Sequence, residues 1–349
     1  MTPDRPSLLA FRLRILAALG LGTTLTHLPA SSVSAGTTSG GQVGTSSSTT
    51  GGSDTDAESS SSSTGTGVEE TSGTSTGRGE SSSSGGGEMG GTSGGSDSFE
   101  DCSGCYGRPY VVEGRARAAP LSSDAPWGTQ RSQVAANLSS RQREALAEFW
   151  LDAARAEHSS IAGFLRFGLE LMALGAPESL LMQAQRASMQ EREHARACFE
   201  MAALYGVAAG PGPLDLGEAA PLAGSLEAFA EATVREGCVG ETVAAWLART
   251  LAEQSNDPRA ATVLRKIADE EEEHAALAWA SLRWAIDTGG DRVREAAARA
   301  FAEATVRAPA PPVPAVPSHG LIDGRTTEAV MQAAMREIVN PCAAEVLAA

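Results

Sequence analysis

Two short motifs in this chain could do chemistry, Glu191-Arg192-Glu193-His194 and Glu271-Glu272-Glu273-His274. Each sets a carboxylate and an imidazole three residues apart. On a helix that spacing puts both heads on one face, close enough to share one cation. Each motif also has a glutamate upstream at a matching distance. Glu157 precedes Glu191 by 34 residues, Glu236 precedes Glu271 by 35, and the two E-x-x-H motifs lie 80 apart. One E-x-x-H arises by chance in any acidic helix. Two, each with its own upstream glutamate, read as a hairpin and its copy.

The positions of these residues within their apolar stripes sharpen the reading. Steps of four and three give Leu180, Ala184, Ala187, Glu191, His194 and Cys198 on one helix, and Ala260, Leu264, Ile267, Glu271, His274 and Ala278 on another. Leu146, Trp150, Ala153, Glu157 and Phe164 line up likewise, as do Leu226, Phe229, Thr233, Glu236, Gly240 and Val243. Four glutamates and two histidines therefore stand where leucines belong. Burying an unpaired carboxylate costs several kcal/mol. Buried arginines could compensate, but Arg166, Arg186 and Arg235 fall off the stripes. Divalent metal could also compensate, and mixed carboxylate and imidazole ligation suits iron or manganese. Solvated glutamates on acidic helix faces are the competing reading.

The neighbours are weaker candidates. Glu241 lies five residues beyond Glu236, about 140° around an α-helix, so Glu236 is preferred. His158 points about 100° from Glu157 and reads either as a partner of a ligand or as a surface histidine. Glu193, Glu270, Glu272 and Glu273 read as solvated faces. Tyr205 reads as core, with a redox-active phenol as the alternative, and His319 has no identifiable partner.

The elements that must position these residues are helices. A first helix starts at a capping box, Ser139-x-x-Gln142, and ends at Gly175. A second runs from Pro177 to Tyr205-Gly206. A connection of roughly 16 residues containing Gly210-Pro211-Gly212-Pro213 cannot be helical. A third helix covers 222–254, and a fourth starts at Asp257-Pro258 and ends near Gly289-Gly290. A short helix over 291–306, a proline-rich stretch over 309–317 and a last helix over 326–339 follow. Two short turns and one long connection predict an all-α, ferritin-like four-helix bundle with one crossover, while a plain up-and-down bundle with a loose loop would look similar.

Composition bounds the remainder. The chain has 349 residues and a formal charge of −16, with 43 acidic against 27 basic side chains. No basic run is present, so nucleic acid is excluded as a partner. About three quarters of positions 31–98 are Gly, Ser or Thr, too few apolar groups to build a core. The expected organisation is a signal peptide over 1–35, a disordered low-complexity linker over 36–100, a Cys-containing lead-in over 101–138, the bundle over 139–290 and C-terminal helices with a Pro-rich tail over 291–349. Arg5, Arg12 and Arg14, the apolar run Ile15 to Leu21 and Val33-Ser34-Ala35 fit export with cleavage after Ala35. No segment is long and apolar enough to span a membrane. The expected location is periplasmic, cell-surface or extracellular. There a disulfide among Cys102, Cys105 and Cys342 is favoured over zinc, with connectivity open. Cys198 and Cys238 fall in helical patterns and are expected to be buried.

Glu157, Glu191-Arg192-Glu193-His194, Glu236 and Glu271-Glu272-Glu273-His274 resemble the ligand set of the ferritin-like di-iron carboxylate superfamily, nearest its rubrerythrin-like members. The resemblance covers about 144–286. It implies two iron ions, with manganese as the alternative, bridged by Glu191 and Glu271, with Glu157 and Glu236 terminal and one histidine, His194 or His274, on each metal. No rubredoxin-like pair of C-x-x-C motifs is present. The expected function is an exported di-metal oxidoreductase acting on dioxygen or peroxide. Ferrous-iron oxidation or sequestration is a second expectation, and a surface interaction module with structural metal is a third. A homodimer is left open, and no catalytic residue beyond the metal ligands is assigned.

Overall fold

In the computed structural model, residues 5–20, 107–124, 127–128, 137–217, 222–306 and 314–349 are described. The expected cleavage site at Ala35, the linker, His27, Cys102 and Cys105 lie outside these residues. The protein is mostly helical, with four two-residue strands among the described residues.

Capping chemistry sets the ends of the site-bearing helices. An N-terminal helix α1 (Arg5–Ala18) and strands β1 (Val111–Val112), β2 (Arg115–Ala116) and β3 (Leu121–Ser122) come before α2 (Ser140–Ala173). The Ser139 hydroxyl accepts from the Gln142 backbone N–H, while the Gln142 side chain accepts from the Ser139 N–H at 3.0 Å, closing the capping box. Gly175, at φ +73°, supplies the left-handed residue of the turn into α3 (Glu178–Leu204). Strand β4 (Gly210–Pro211) lies in the long connection that follows.

One continuous helical run then covers 226–254, made of α4 (Leu226–Ala232), a π-helical segment (Thr233–Glu241) and α5 (Thr242–Gln254). It begins at Leu226, four residues later than the sequence suggests. The side chain of Ser225 accepts from Ala228 N–H. The helix α6 (Pro258–Gly289) opens on the Asp257 carboxylate, which accepts from the N–H groups of Arg259 and Ala260.

Packing joins these helices in pairs. α2 lies along α3, while α5 and the π segment lie along α6, and α3 meets α6. The apolar stripes meet between them, with Trp150, Phe164, Phe199, Trp246 and Trp279 fully buried. Residues 107–124 lie against this assembly, the Tyr110 N–H donating to Ser159 and the Ala119 carbonyl accepting from Arg155. β1 pairs with β2, and β3 pairs with β4 in the long connection, so the lead-in and the connection hold each other in place. The Arg117 side chain bonds Asp215, and the Tyr110 hydroxyl donates to the Leu216 carbonyl.

The ends of the described chain close around the same core. α7 (Asp291–Glu303) packs on α4. The last helix, expected over 326–339, extends further. α8 (Gly324–Ala334) continues through a π segment (Met335–Val339) into α9 (Asn340–Ala348). Pro341 falls in the first turn of α9, where its missing N–H leaves no intrahelical bond broken. Cys342 is buried and unbonded, as are Cys198 and Cys238. α1 lies against α6, the second π segment and α9, with Leu8, Phe11 and Ile15 buried, as is Leu19 just beyond it, and Arg14 pairs with Glu272. No described helix is long and apolar enough to cross a membrane.

Candidate metal centre

Six side chains from four helical segments converge at one buried point. α2 supplies Glu157, α3 supplies Glu191 and His194, the end of the π segment supplies Glu241, and α6 supplies Glu271 and His274. None is more than 2% exposed. Their ligand atoms form two groups, each drawn together within 4.8 Å: Glu157, Glu191, His194 and Glu271, and Glu191, Glu241, Glu271 and His274. Glu191 and Glu271 belong to both. His194 Nδ1 stands 3.7 Å from Glu157, 3.7 Å from Glu191 and 3.5 Å from Glu271. His274 Nδ1 stands 3.1 Å from Glu191 and 3.5 Å from Glu271.

Each imidazole is anchored from outside by its other nitrogen. His194 Nε2 meets the Glu270 carboxylate at 2.7 Å, and Lys266 bonds the same carboxylate at 3.0 Å. His274 Nε2 meets the Gln190 side-chain oxygen at 3.0 Å. Both contacts favour a proton on Nε2 and leave Nδ1 facing the cluster, the usual arrangement of a metal-binding histidine. Glu270, read from the sequence as a solvated residue, is thus a partner of His194. Partial burial opposes its ionisation, but the bonds from His194 and Lys266 hold its carboxyl down at about 2. Glu272, also read as solvated, is buried and paired with Arg249 at 2.7 Å.

Of the sequence-predicted ligands, Glu157, Glu191, His194, Glu271 and His274 come together, and Glu236 does not. Its two oxygens each accept from Arg166 at 2.7 Å, with Arg108 3.6 Å away. Glu241 joins the cluster instead. The 140° separation that argued against Glu241 assumes an α-helix. In the π segment the i→i+5 bonds set residues five apart nearly over one another, which carries Glu241 to the level of the cluster. The helix-interior glycines Gly237 and Gly240 were the available signal, since glycine inside a helix marks a close backbone approach.

Those glycines accommodate residues 107–110, which the sequence left without a role. Gly107 has φ +60°, and a Cβ there would lie 3.0 Å from Ser160 Oγ, 3.6 Å from Glu241 and 3.7 Å from Glu191. A Cβ on Gly240 would lie 3.2 Å from the Gly107 carbonyl. This strap covers the cluster with backbone. A cavity of about 20 Å³ borders Glu157, Glu271 and Cys198, its other walls being apolar, Trp150, Leu247 and Ile267 among them. A space of that size admits one very small molecule.

The electrostatics divide the six groups. Burial, reinforced by the Glu191 charge, pushes the Glu157 carboxyl well above its usual range. Burial and the Glu271 charge do the same to Glu241. Burial also opposes ionisation of Glu191 and Glu271, but contacts with both histidines outweigh it and hold these two carboxyls low. Burial works against protonation of the histidines as well. The surrounding carboxylates nevertheless raise His194 well above the ordinary imidazole range and His274 to about 9. The balance favours protons on both histidines and on the outer carboxyls Glu157 and Glu241, and charge on Glu191 and Glu271.

Even so, Glu157 Oε2, both oxygens of Glu191, Glu241 and Glu271, and Nδ1 of both histidines lack hydrogen-bond partners. Buried polar atoms are rarely left this way, and so many unmet acceptors around one point match the donor set of a metal. The cluster could hold a metal ion.

Three further residues noted in the sequence fall elsewhere. His158 stacks edge-on to Trp127, and burial lowers its pKa. The Tyr205 hydroxyl meets His319 Nδ1 at 3.0 Å, which gives His319 the partner the sequence did not identify. Burial raises the Tyr205 phenol above its ordinary pKa. No family model, curated protein or solved structure matches the chain.

Metal binding should release protons, because ligation needs ionised carboxylates and neutral imidazoles. At pH 7 loading should displace a proton from His194 and from His274, and any protons held by Glu157 and Glu241 add to the release. Affinity should rise with pH up to at least about 9, where His274 no longer needs deprotonation. Titration calorimetry in buffers of differing ionisation enthalpy measures the release. Metal uptake with no proton release would refute this charge assignment.

Proposed function

We propose that this chain is an exported di-iron carboxylate protein of the ferritin-like type, an oxidoreductase acting on dioxygen or peroxide. The observation that carries the reading is the pair of four-residue ligand groups sharing Glu191 and Glu271. Two cations side by side would each take one histidine and one outer glutamate, and both would use the shared pair. The two helix pairs and the long connection between α3 and α4 support a four-helix bundle with one crossover.

Glu191 and Glu271 would bridge, with Glu157 and His194 on one metal and Glu241 and His274 on the other. Glu241 thus takes the place that the resemblance gave to Glu236. Iron bound there would supply the electrons for reducing dioxygen or peroxide, and manganese would fit the same donors. The protein's own contribution is positional. Glu270 and Gln190 keep the two Nδ1 atoms turned inward, the Gly107 strap excludes bulk water, and the small apolar cavity suits dioxygen better than an organic substrate. Iron oxidation for sequestration would use the same ligands and differs in taking ferrous iron as the substrate.

Export is supported by the basic n-region and by Val33-Ser34-Ala35. N-terminal sequencing of protein recovered outside the cytoplasm should begin at Gly36. A chain that retains α1 would refute cleavage there.

Reconstitution with ferrous iron followed by air should give two irons per chain, an oxo-bridged absorption band and oxygen consumption. Glu191→Ala should abolish the band, whereas Glu236→Gln should keep both metals. Iron bound without oxygen or peroxide turnover would leave sequestration or a structural role. Absence of stoichiometric iron or manganese, with Glu191→Ala as stable as the wild type, would leave a metal-free interaction module.

A further inference from the structure

We propose that Arg108 makes the two halves of the cluster unequal metal sites. A divalent cation would fill the Glu157–His194 half first and the Glu241–His274 half second and more weakly. This rests on the metal reading above and adds an order of loading to it.

Arg108 is 1% exposed, although it sits on a non-helical strap. Its guanidinium lies 4.0 Å from the centre of the Phe167 ring and 5.3 Å from that of Phe164. Two helices are cut away to seat it. A Cβ on Gly237 would come within 2.3 Å of Arg108 Nη2, and one on Gly163 within 2.4 Å of the Arg108 carbonyl oxygen. Arginine stays charged even when buried, so the fold holds a permanent cation here.

That cation is placed on one side. Arg108 Nε is 3.8 Å from Glu241 Oε1, and Nη1 is 3.6 Å from Glu236. Among the described residues it forms no ion pair with Glu157, Glu191 or Glu271. The Glu236 carboxylate is already engaged by both short bonds from Arg166, which also approaches Glu170 at 3.8 Å. An arginine that served to orient Glu241 would donate to it at about 2.7–2.9 Å. Arg108 does not, and its Nε and Nη2 have no hydrogen-bond partner among the described residues. It therefore acts on the Glu241 half as a charge rather than as a bonding partner. In a dry interior a charge at this range is weakly screened and opposes a second cation nearby. The consequence is one held position and one exchangeable position, which suits a protein that takes up ferrous iron.

The test is a titration of metal-free, full-length protein with Co²⁺, followed by visible absorption. Wild type should bind in two steps separated by at least about tenfold in affinity. Arg108→Met should tighten the second step by about tenfold or more and leave the first within about twofold. Arg108→Lys, which keeps a charge, should leave the steps apart. A second step that is unchanged or weakened in Arg108→Met, or a lysine variant that behaves like methionine, overturns the proposal. A check independent of Arg108 variants compares the two histidines. His274→Ala should keep the first, tight Co²⁺ and His194→Ala should lose it, and the reverse result overturns the proposal. Two equal steps in wild type would overturn this inference alone, whereas no Co²⁺ binding at all would overturn the metal reading beneath it.

Discussion

Four carboxyl groups held within a few ångströms of one another inside an apolar core are the constraint on which the site depends. Two like charges 4 Å apart repel by about 4 kcal/mol at an effective dielectric near 20, so four ionised glutamates cannot coexist there unaided. The fold eases this by favouring protons on Glu157 and Glu241 and by setting Glu191 and Glu271 against protonated histidines. That arrangement balances charge but leaves the inward-facing atoms without hydrogen bonds. A cluster that is neutral yet unsatisfied is poised to exchange protons for cations.

Much of the surrounding architecture serves this point. The π segment turns Glu241 inward and leaves Glu236 to Arg166. Gly107, Gly163, Gly237 and Gly240 open a channel through which a non-helical strap reaches the cluster. β3 and β4 tie that strap to the long connection between the helix pairs, so the connection has a structural task beyond reversing the chain. On the far side Glu270 and Gln190 fix the imidazoles. Local backbone irregularity is therefore concentrated where the ligands must be placed, as π turns in helices often are.

The sequence was legible wherever the helical period was regular. In α2, α3 and α6 the interrupted apolar stripes located Glu157, Glu191, His194, Glu271 and His274, and the caps at Ser139 and Asp257 located the helix starts. The third helix was misread because its π segment breaks the period that the count relies on. Arg108 was invisible to the same method, since a strap has no periodicity and an isolated Gly-Arg-Pro announces no partner. The cation near the cluster comes from outside the helices, where no apolar stripe marks a buried arginine. Glu270 and Glu272 looked solvated because a charge run carries no record of which members find partners across a helix interface. The last helix, expected over 326–339, runs on to Ala348, because a helix that restarts after a π turn tolerates Pro341 in its first turn.

Anomalous diffraction from crystals of the iron-loaded protein tests the central claim most directly. The account predicts two peaks. One should be bounded by Glu157 and His194, the other by Glu241 and His274, and both should touch Glu191 and Glu271. A single peak beside Glu236, or no peak with all six side chains intact, would contradict it.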